Sequence, residues 1–133
     1  MVLHLVKPII VYNSNVPFLF SSANQFTYGV TIFPFIFIVN FNDSRYKPDE
    51  LDIIYNIEDI VNHEKIHFQQ ILETGIIGFY SLFFIELLIK RIFWKSWNKS
   101  YSNISFEREA YKHMYDKHYL EKRKRYNWFK YLY

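Results

Sequence analysis

The sequence contains no cysteine, and only three glycines and four prolines among its 133 residues. The absence of cysteine excludes disulfide frameworks and thiolate metal sites, so any bound metal ion would need histidine and carboxylate ligands. The scarcity of glycine and proline argues against linker-rich, collagen-like and disordered chains. Half of the residues are hydrophobic and 22% are aromatic. Because domains usually contain about 100 to 200 residues, the composition predicts one compact domain, residues 1–133, packed largely with aromatic side chains.

Long hydrophobic runs are also missing. The longest apolar stretch, residues 76–89, contains Glu86 and is shorter than the roughly 20 residues that a membrane-spanning helix needs. The first residues are interrupted by His4, Lys7 and Pro8, and no apolar segment of signal-peptide length follows them. We therefore expect a cytoplasmic protein in which residues 76–89 form a buried core helix, with a helix at a membrane interface as the alternative.

Acidic and basic residues are distributed unevenly. Residues 1–89 carry four basic and nine acidic side chains, whereas residues 90–133 carry twelve basic and four acidic ones. The C-terminal tail, residues 123–133, combines basic and aromatic side chains, which can contact nucleic acid or an anionic membrane surface. Tails of this kind are more often solvated charges with aromatic rings docked on the core, and we expect that arrangement here.

The first part of the chain, residues 1–42, is predicted to contain mostly strands. Two segments, VKPIIVY (6–12) and FTYGVTIFPFIFIVNF (26–41), are rich in β-branched and aromatic residues. Pro34 lies inside the second segment and cannot donate a hydrogen bond to a strand ladder, which indicates an edge position or a break. We expect a small antiparallel sheet, followed by a loop at residues 42–50.

The second part, residues 51–122, has the hydrophobic spacing of helices. One helix is predicted at about residues 57–73, where a Thr-Gly pair ends it, and a second at about residues 76–94. Ser105 is a suitable N-cap for a third helix that runs to about Lys122. The fold class is therefore α+β: a small sheet followed by three helices.

The most informative segment is VNHEKIHFQQ, residues 61–70, within the first predicted helix. Residues four apart on a helix point the same way, so His63 and His67 can direct two imidazole nitrogens at one ion. Glu64 is placed to take a proton from a water molecule that the metal activates. A chain with five histidines and eight glutamates contains this pattern by chance only about once in a hundred sequences.

A catalytic zinc site needs a third protein ligand and an open position. The best source is SFEREAY, residues 105–111, which offers Glu107 and Glu109. The pattern HExxH followed by ExEA resembles the gluzincin clan of zinc metallopeptidases, and the segments around it are similar to small zincin-like proteins of Bacteroidetes-type bacteria and their phages. The resemblance covers roughly residues 58–125. It implies a minimal zincin-like fold, a Zn²⁺ cofactor and Glu107 as the third ligand, and the small proteins give no substrate. A peptide or protein substrate is the expectation if the chain is a peptidase.

The resemblance is incomplete after the alanine of this pattern. Many gluzincins have an aspartate at that position, where this chain has Tyr111, and this difference keeps Glu109 open as the third ligand. A donor to the developing oxyanion is also required, and Tyr101, Tyr111 and His113 are the nearest candidates in sequence. Of these, Tyr111 and His113 are predicted as catalytic residues together with Glu64.

Other polar residues near the motif have predicted supporting roles. Gln70 or Asn62 can orient an imidazole ring. The strand at residues 31–39 is expected to bind a peptide by strand addition. Glu86 is expected to form an ion pair with Lys90 or Arg108, because a carboxylate in an apolar helix needs a partner.

Two functional hypotheses follow from these residues. The first is a zinc-dependent peptidase with the ligands His63, His67 and Glu107. The second is a catalytically silent binding or structural module on the same scaffold, working with a protein partner or as a homo-oligomer. If the gene belongs to a phage, such a module is compatible with a place in the virion.

Overall fold

The computed structural model describes residues 6–21, 27–42 and 56–132. Within this part of the chain the fold is α+β: a small sheet of three strands precedes a set of helices. The strands are β1 (Ile9–Ser14), β2 (Gly29–Ile32) and β3 (Phe35–Val39), and a 3-10 helix, Val16–Phe20, follows β1. The helices are α1 (Ile57–Thr74), α2 (Ile76–Phe93), α3 (Trp97–Ser102), α4 (Ser105–His113) and α5 (Tyr119–Lys122), before a last 3-10 helix, Asn127–Tyr131. Most of the predicted loop at residues 42–50 lies outside the described residues.

The sheet is mixed, so the predicted antiparallel pairing is present between β2 and β3 but not between β1 and β3. Its strand order is β1-β3-β2, and β2 pairs with β3 in antiparallel fashion whereas β1 pairs with β3 in parallel. Pro34 lies in the turn between β2 and β3, which confirms the predicted break in the second strand segment. β2 and β3 follow each other directly along the chain and form an antiparallel hairpin. β1 pairs with the other edge of β3 and runs parallel to it.

The first two helices have nearly the predicted bounds. The side chain of Asn56 accepts a hydrogen bond from the backbone N–H of Asp59 (2.8 Å) and caps the start of α1. Gly75 ends α1 with a φ of 80°, a left-handed value that favours glycine. In the described part of the chain no single helix is long and apolar enough to cross a membrane; α1 and α2 meet that criterion only as a pair bent by 109°.

The third predicted helix is shorter than expected. It is α4, which ends at His113 instead of about Lys122, and α5 follows as a separate turn. The side-chain amide of Asn62 donates to the carbonyl oxygens of His113 (3.3 Å) and Met114 (2.8 Å), so α1 provides partners for the open end of α4. This end is set by a contact between distant residues, which local sequence does not reveal.

The start of α4 also depends on another helix. Ser105 is the first helical residue, and the N-cap position belongs to Ile104. The backbone N–H and the hydroxyl of Ser105 both donate to the carboxylate of Glu86 on α2, each at 2.7 Å. Glu86 also lies 4.0 Å from Lys90, one of its two predicted partners. The carboxylate of α2 therefore holds the first turn of α4.

The core surrounds α1 on several sides. Ile60 and Phe68 of α1 pack with Ile36 and Ile38 of β3. On another side, α1 packs against a second cluster that includes Trp128 of the C-terminal segment. The docked indole ring agrees with the expectation that aromatic side chains of the tail pack on the core. This packing fixes α1 between the sheet and α4.

Candidate metal site

Three buried side chains converge where α1 faces α4. Nε2 of His63 lies 3.1 Å from Nε2 of His67. The carboxylate of Glu107 lies 3.2 Å from the first nitrogen and 3.1 Å from the second. All three residues are at least 93% buried, and one ligand atom from each lies within 4.8 Å of the others. The predicted ligands are therefore brought together in a group that can hold a metal ion.

Gln70 fixes the orientation of the His67 ring. The Gln70 side-chain nitrogen donates to two groups that only accept, the Phe106 carbonyl (3.1 Å) and a Glu109 carboxylate oxygen (2.8 Å). The Gln70 oxygen therefore faces Nδ1 of His67, at 2.8 Å, and must accept a hydrogen bond from its N–H. In the neutral ring this leaves Nε2 with a lone pair directed at the cluster, which is the state a metal ligand needs. Gln70, and not Asn62, has the predicted orienting role.

Glu109 lies behind Gln70 and does not join the cluster. Arg123 donates to both of its carboxylate oxygens, at 2.6 and 3.2 Å, and the Tyr119 hydroxyl donates at 2.6 Å. Burial opposes the charged form, but Arg123, Tyr119 and Gln70 together lower the pKa of Glu109. Arg123 also pairs with Glu73 of α1. A chain of buried hydrogen bonds thus runs from Arg123 through Glu109 and Gln70 to His67.

His63 has different surroundings from His67. Its Nδ1 is buried without a hydrogen-bond partner among the described residues. The ring of Tyr111 packs against it, with 4.5 Å between ring centroids. On Glu107, the Oε2 atom that lies near His63 is also buried and accepts no hydrogen bond from the described residues. An anionic oxygen left in this state is costly, and a cation at the centre of the cluster would satisfy it.

The charges of the cluster are strongly coupled. Although burial favours the neutral ring, the carboxylate of Glu107 raises the pKa of His67 to about 9. Burial likewise opposes ionisation of Glu107, yet the two histidines hold its pKa well below the usual range. In the metal-free protein His67 therefore carries a proton at neutral pH, and a metal ion would displace it.

Glu64 lies beside the cluster and faces β2. Its carboxylate accepts a hydrogen bond from the Thr31 hydroxyl at 2.7 Å, and the side chain is buried. Strand and helix are very close here: a Cβ atom at Gly29 would lie 3.0 Å from atoms of both Glu64 and Ile60. Thr31 and Gly29 were not predicted as site residues, because the sequence does not show which strand residues face α1.

A cavity of about 230 Å³ opens onto these groups. Its lining includes Glu64, His67 and Glu107, with Thr31, Phe79 and Tyr101 around them. The Tyr101 hydroxyl donates to Glu107 at 2.7 Å. Burial and the charge of Glu107 raise the pKa of Tyr101 well above its usual value, so the phenol keeps its proton. A polar pocket with a carboxylate, a phenol and a candidate metal group can bind and polarise a small polar group.

The two other predicted catalytic residues differ in position. Tyr111 contacts His63 and so lies beside the cluster. His113 instead stacks on Tyr119, with ring centroids 3.8 Å apart, and contacts the Tyr131 hydroxyl at 2.7 Å. It lines a separate cavity near the C-terminal segment. The structure therefore does not bring His113 to the candidate site, because six residues after Glu107 a helix has turned to a different side.

No protein-family model, no curated protein and no solved structure matches this chain. The chemistry of the residues described above is therefore the basis for a functional proposal.

Proposed function

We propose that the protein is a zinc-dependent peptidase in which His63, His67 and Glu107 bind the ion and Glu64 is the general base. The observation that carries this proposal is the convergence of three buried ligand atoms beside a cavity that also contains the Glu64 carboxylate. Two imidazoles and one carboxylate form a common ligand set of catalytic zinc sites, which keep one position open for water or substrate.

The distances between the ligand atoms support zinc. Bonds of 2.0–2.1 Å at tetrahedral angles place neighbouring ligand atoms roughly 3.3 Å apart. The two Nε2 atoms lie 3.1 Å apart, Oε2 of Glu107 lies 3.2 Å from that of His63, and Oε1 lies 3.1 Å from that of His67. A central ion would also provide the missing partner of Glu107 Oε2. The ligands are therefore close to the arrangement that zinc requires before any ion is bound.

The side chains around the ion have separate roles in the proposed reaction. When bound, zinc would lower the pKa of a water molecule and polarise a peptide carbonyl. Glu64 accepts the proton of that water, and the hydroxyl of Thr31 holds the Glu64 carboxylate in place. Tyr111, which contacts His63, stays the candidate donor to the oxyanion in place of His113. The Tyr101 hydroxyl instead donates its single proton to Glu107 at 2.7 Å and holds that carboxylate.

A peptide substrate is supported by the position of β2. This strand is at the edge of the sheet, and three of its residues, Gly29, Val30 and Thr31, line the cavity. An extended peptide can add to such an edge by main-chain hydrogen bonds. The predicted peptide-binding strand, residues 31–39, contains the end of β2 and all of β3. β3 is paired on both sides, so only the β2 part can add a peptide strand. The Thr31 carbonyl already accepts from Tyr80 (2.8 Å), and backbone groups of successive strand residues point to opposite sides, so peptide addition at this edge would use mainly Gly29.

The size of the cavity favours a second candidate function. About 230 Å³ is below the roughly 300–1,000 Å³ typical of ligand pockets. A metal-stabilised binding or structural module would need no larger cleft. In that case the ion would support the fold, and Glu64 would remain a buried partner of Thr31.

Metal analysis tests the site that both candidates share. We expect one zinc ion per chain in the purified protein, and a rise of the melting temperature when zinc is added to chelated protein. His67→Ala should lower zinc affinity by at least about a hundredfold, more than the 10- to 100-fold that loss of a ligand's hydrogen-bond partner costs. Protein that contains no zinc and is not stabilised by it would contradict both functions.

Glu64→Gln separates the two candidates. In a peptidase, this change should abolish cleavage of a mixed peptide library, analysed by mass spectrometry, and leave zinc bound. Glu58→Gln is the matched control, because Glu58 is an exposed residue of the same helix that pairs with Lys117. The peptidase proposal fails if the zinc-loaded wild type cleaves no peptide, or if Glu64→Gln and wild type cleave equally.

A further inference from the structure

The outer face of α2 exposes a large apolar surface. Only Phe79 of its 18 residues is buried. Ile77 is 84% exposed, Ile92 80% and Phe93 76%. We define the outer face as the six apolar residues Ile77, Phe84, Ile85, Leu88, Ile92 and Phe93, all of them exposed. Continuous apolar patches of this kind on a protein surface mark contact with another protein or with a membrane.

The width of this face argues for a membrane. At 3.6 residues per turn, the exposed positions from Ile76 to Phe93 cover roughly 220° of the helix circumference. The inner positions, which include Phe79, Phe83 and Leu87, cover only about 100°. One partner helix covers a stripe of about 100°, and would leave much of the outer face in water. An apolar medium that surrounds the exposed side would cover all of it.

The C-terminal end of α2 has the side chains of a membrane–water boundary. Trp94 and Trp97 are 40% and 56% exposed, and Lys95 and Lys99 are exposed between and beyond them. The guanidinium of Arg91 lies over the Trp97 ring, 4.9 Å from its centroid. No acidic residue occurs between positions 87 and 106. Tryptophan is enriched at membrane interfaces, and clustered basic residues next to an apolar helix attract anionic lipid headgroups.

We propose that the outer face of α2 lies in the interfacial layer of an anionic lipid bilayer. The inner side of α2 stays with the domain, because Glu86 accepts hydrogen bonds from Ser105 and Lys90 donates to the Leu132 carbonyl at 2.9 Å. The helix therefore lies along the bilayer surface with the rest of the protein above it, as interfacial amphipathic helices do. This proposal is independent of the proposed peptidase activity.

Vesicle flotation tests the proposal on the full chain. We expect the protein to float with vesicles of phosphatidylcholine containing 30% phosphatidylglycerol, to float less with phosphatidylcholine alone, and to bind more weakly as salt is raised. Vesicles with brominated acyl chains should quench the fluorescence of Trp94 and Trp97. In the double variant Trp94→Phe/Trp97→Phe the remaining Trp128 is buried and should not be quenched.

Paired variants assign the binding to this surface. Ile92→Ser/Phe93→Ser should weaken vesicle binding by about tenfold or more, because two exposed apolar side chains no longer enter the lipid. Lys95→Glu/Lys99→Glu should weaken binding to the anionic vesicles by about tenfold. The matched control is Lys124→Glu/Arg125→Glu, which makes the same charge change in the C-terminal tail and should alter binding less than twofold.

Three results would overturn the proposal. The first is no flotation with the anionic vesicles at low salt. The second is a dimer in sedimentation analysis that Ile92→Ser/Phe93→Ser dissociates, with no vesicle binding; the outer face would then bind a second copy of the chain. The third is an equal loss of vesicle binding in Lys124→Glu/Arg125→Glu and in Lys95→Glu/Lys99→Glu. That result would assign the lipid contact to the C-terminal residues.

Discussion

The two long helices differ in what they bury. α1 and α2 each contain 18 residues and meet at Gly75. α1 buries ten residues, six of them polar or charged, whereas the more hydrophobic α2 buries only Phe79. In a typical domain the more apolar helix is the buried one. Because buried polar groups are costly unless they have partners, the reversal indicates that both helices carry functional surfaces, one directed inward and one outward.

The largest expected effect tests whether the inner side of α2, and not its outer face, contributes to the stability of the fold. Phe79→Ala should lower the free energy of unfolding by about 3–5 kcal/mol, since the ring fills the core beside Phe106, with ring centroids 4.7 Å apart. Ile77→Ala, on the outer face, should change it by less than about 0.5 kcal/mol. Urea denaturation measures both values. Similar losses for the two variants would mean that the outer face is covered in solution.

A smaller effect tests whether the buried polar residues of α1 serve the metal site. Gln70→Met keeps the length of the side chain but removes its hydrogen bonds to His67 and Glu109, and should lower zinc affinity by about 10- to 100-fold. Competition with a chromophoric chelator measures the affinity. Gln69→Met makes the same change at the next, less buried position of α1 and should leave zinc affinity unaltered. Equal losses in both variants would contradict the positioning role of Gln70.

The smallest expected effect is a dependence of folding stability and zinc affinity on pH. Glu107 raises the pKa of His67 in the folded, metal-free protein to about 9, above the ordinary value of 6.5. The stability from this pair is therefore fully present below about pH 6.5 and is lost as the pH rises through 9. Zinc affinity has the opposite trend and should rise by at most about tenfold per pH unit up to pH 9, because zinc displaces the His67 proton.

Thermal melting follows the stability part of this pH dependence. Melting in excess chelator, from pH 6 to 9, should show the declining stability in the wild type. The decline should be smaller in His67→Gln and unchanged in His118→Gln, which removes an exposed histidine. A decline of the same size in all three proteins would exclude His67 as its source.

Much of the helical part could be predicted because its signals are local. The hydrophobic spacing of α1 and the glycine after it are sufficient to define its ends, and the histidines four residues apart place two ligands on one face. The class α+β and the pair His63 and His67 followed from local patterns, whereas Glu107 was expected from the resemblance to gluzincins. Zinc itself and the peptidase activity stay predictions.

The remaining features depend on contacts between distant residues. At the end of α4, the side-chain amide of Asn62 donates to the carbonyl of His113, which is 51 residues away in the chain. The pairing of β1 with β3 likewise joins strands that do not follow each other directly. Glu107 and Glu109 are both early in α4, and only the folded chain shows that Arg123 holds the second one. Likewise, the expectation that residues 76–89 form a buried core helix was wrong, because an apolar sequence indicates burial without showing what covers it.

The close approach of β2 to α1 has a practical consequence for altering the protein. Gly29 lies directly against the side chains of Glu64 and Ile60, so the distance between strand and helix here depends on the lack of a side chain at this position. A single added methyl group, as in Gly29→Ala, would have to push β2 away from Glu64 or turn the carboxylate. The residue at position 29 therefore sets the spacing between β2 and α1. A change there would alter the opening of the cleft without a substitution at a ligand, the base or a core residue.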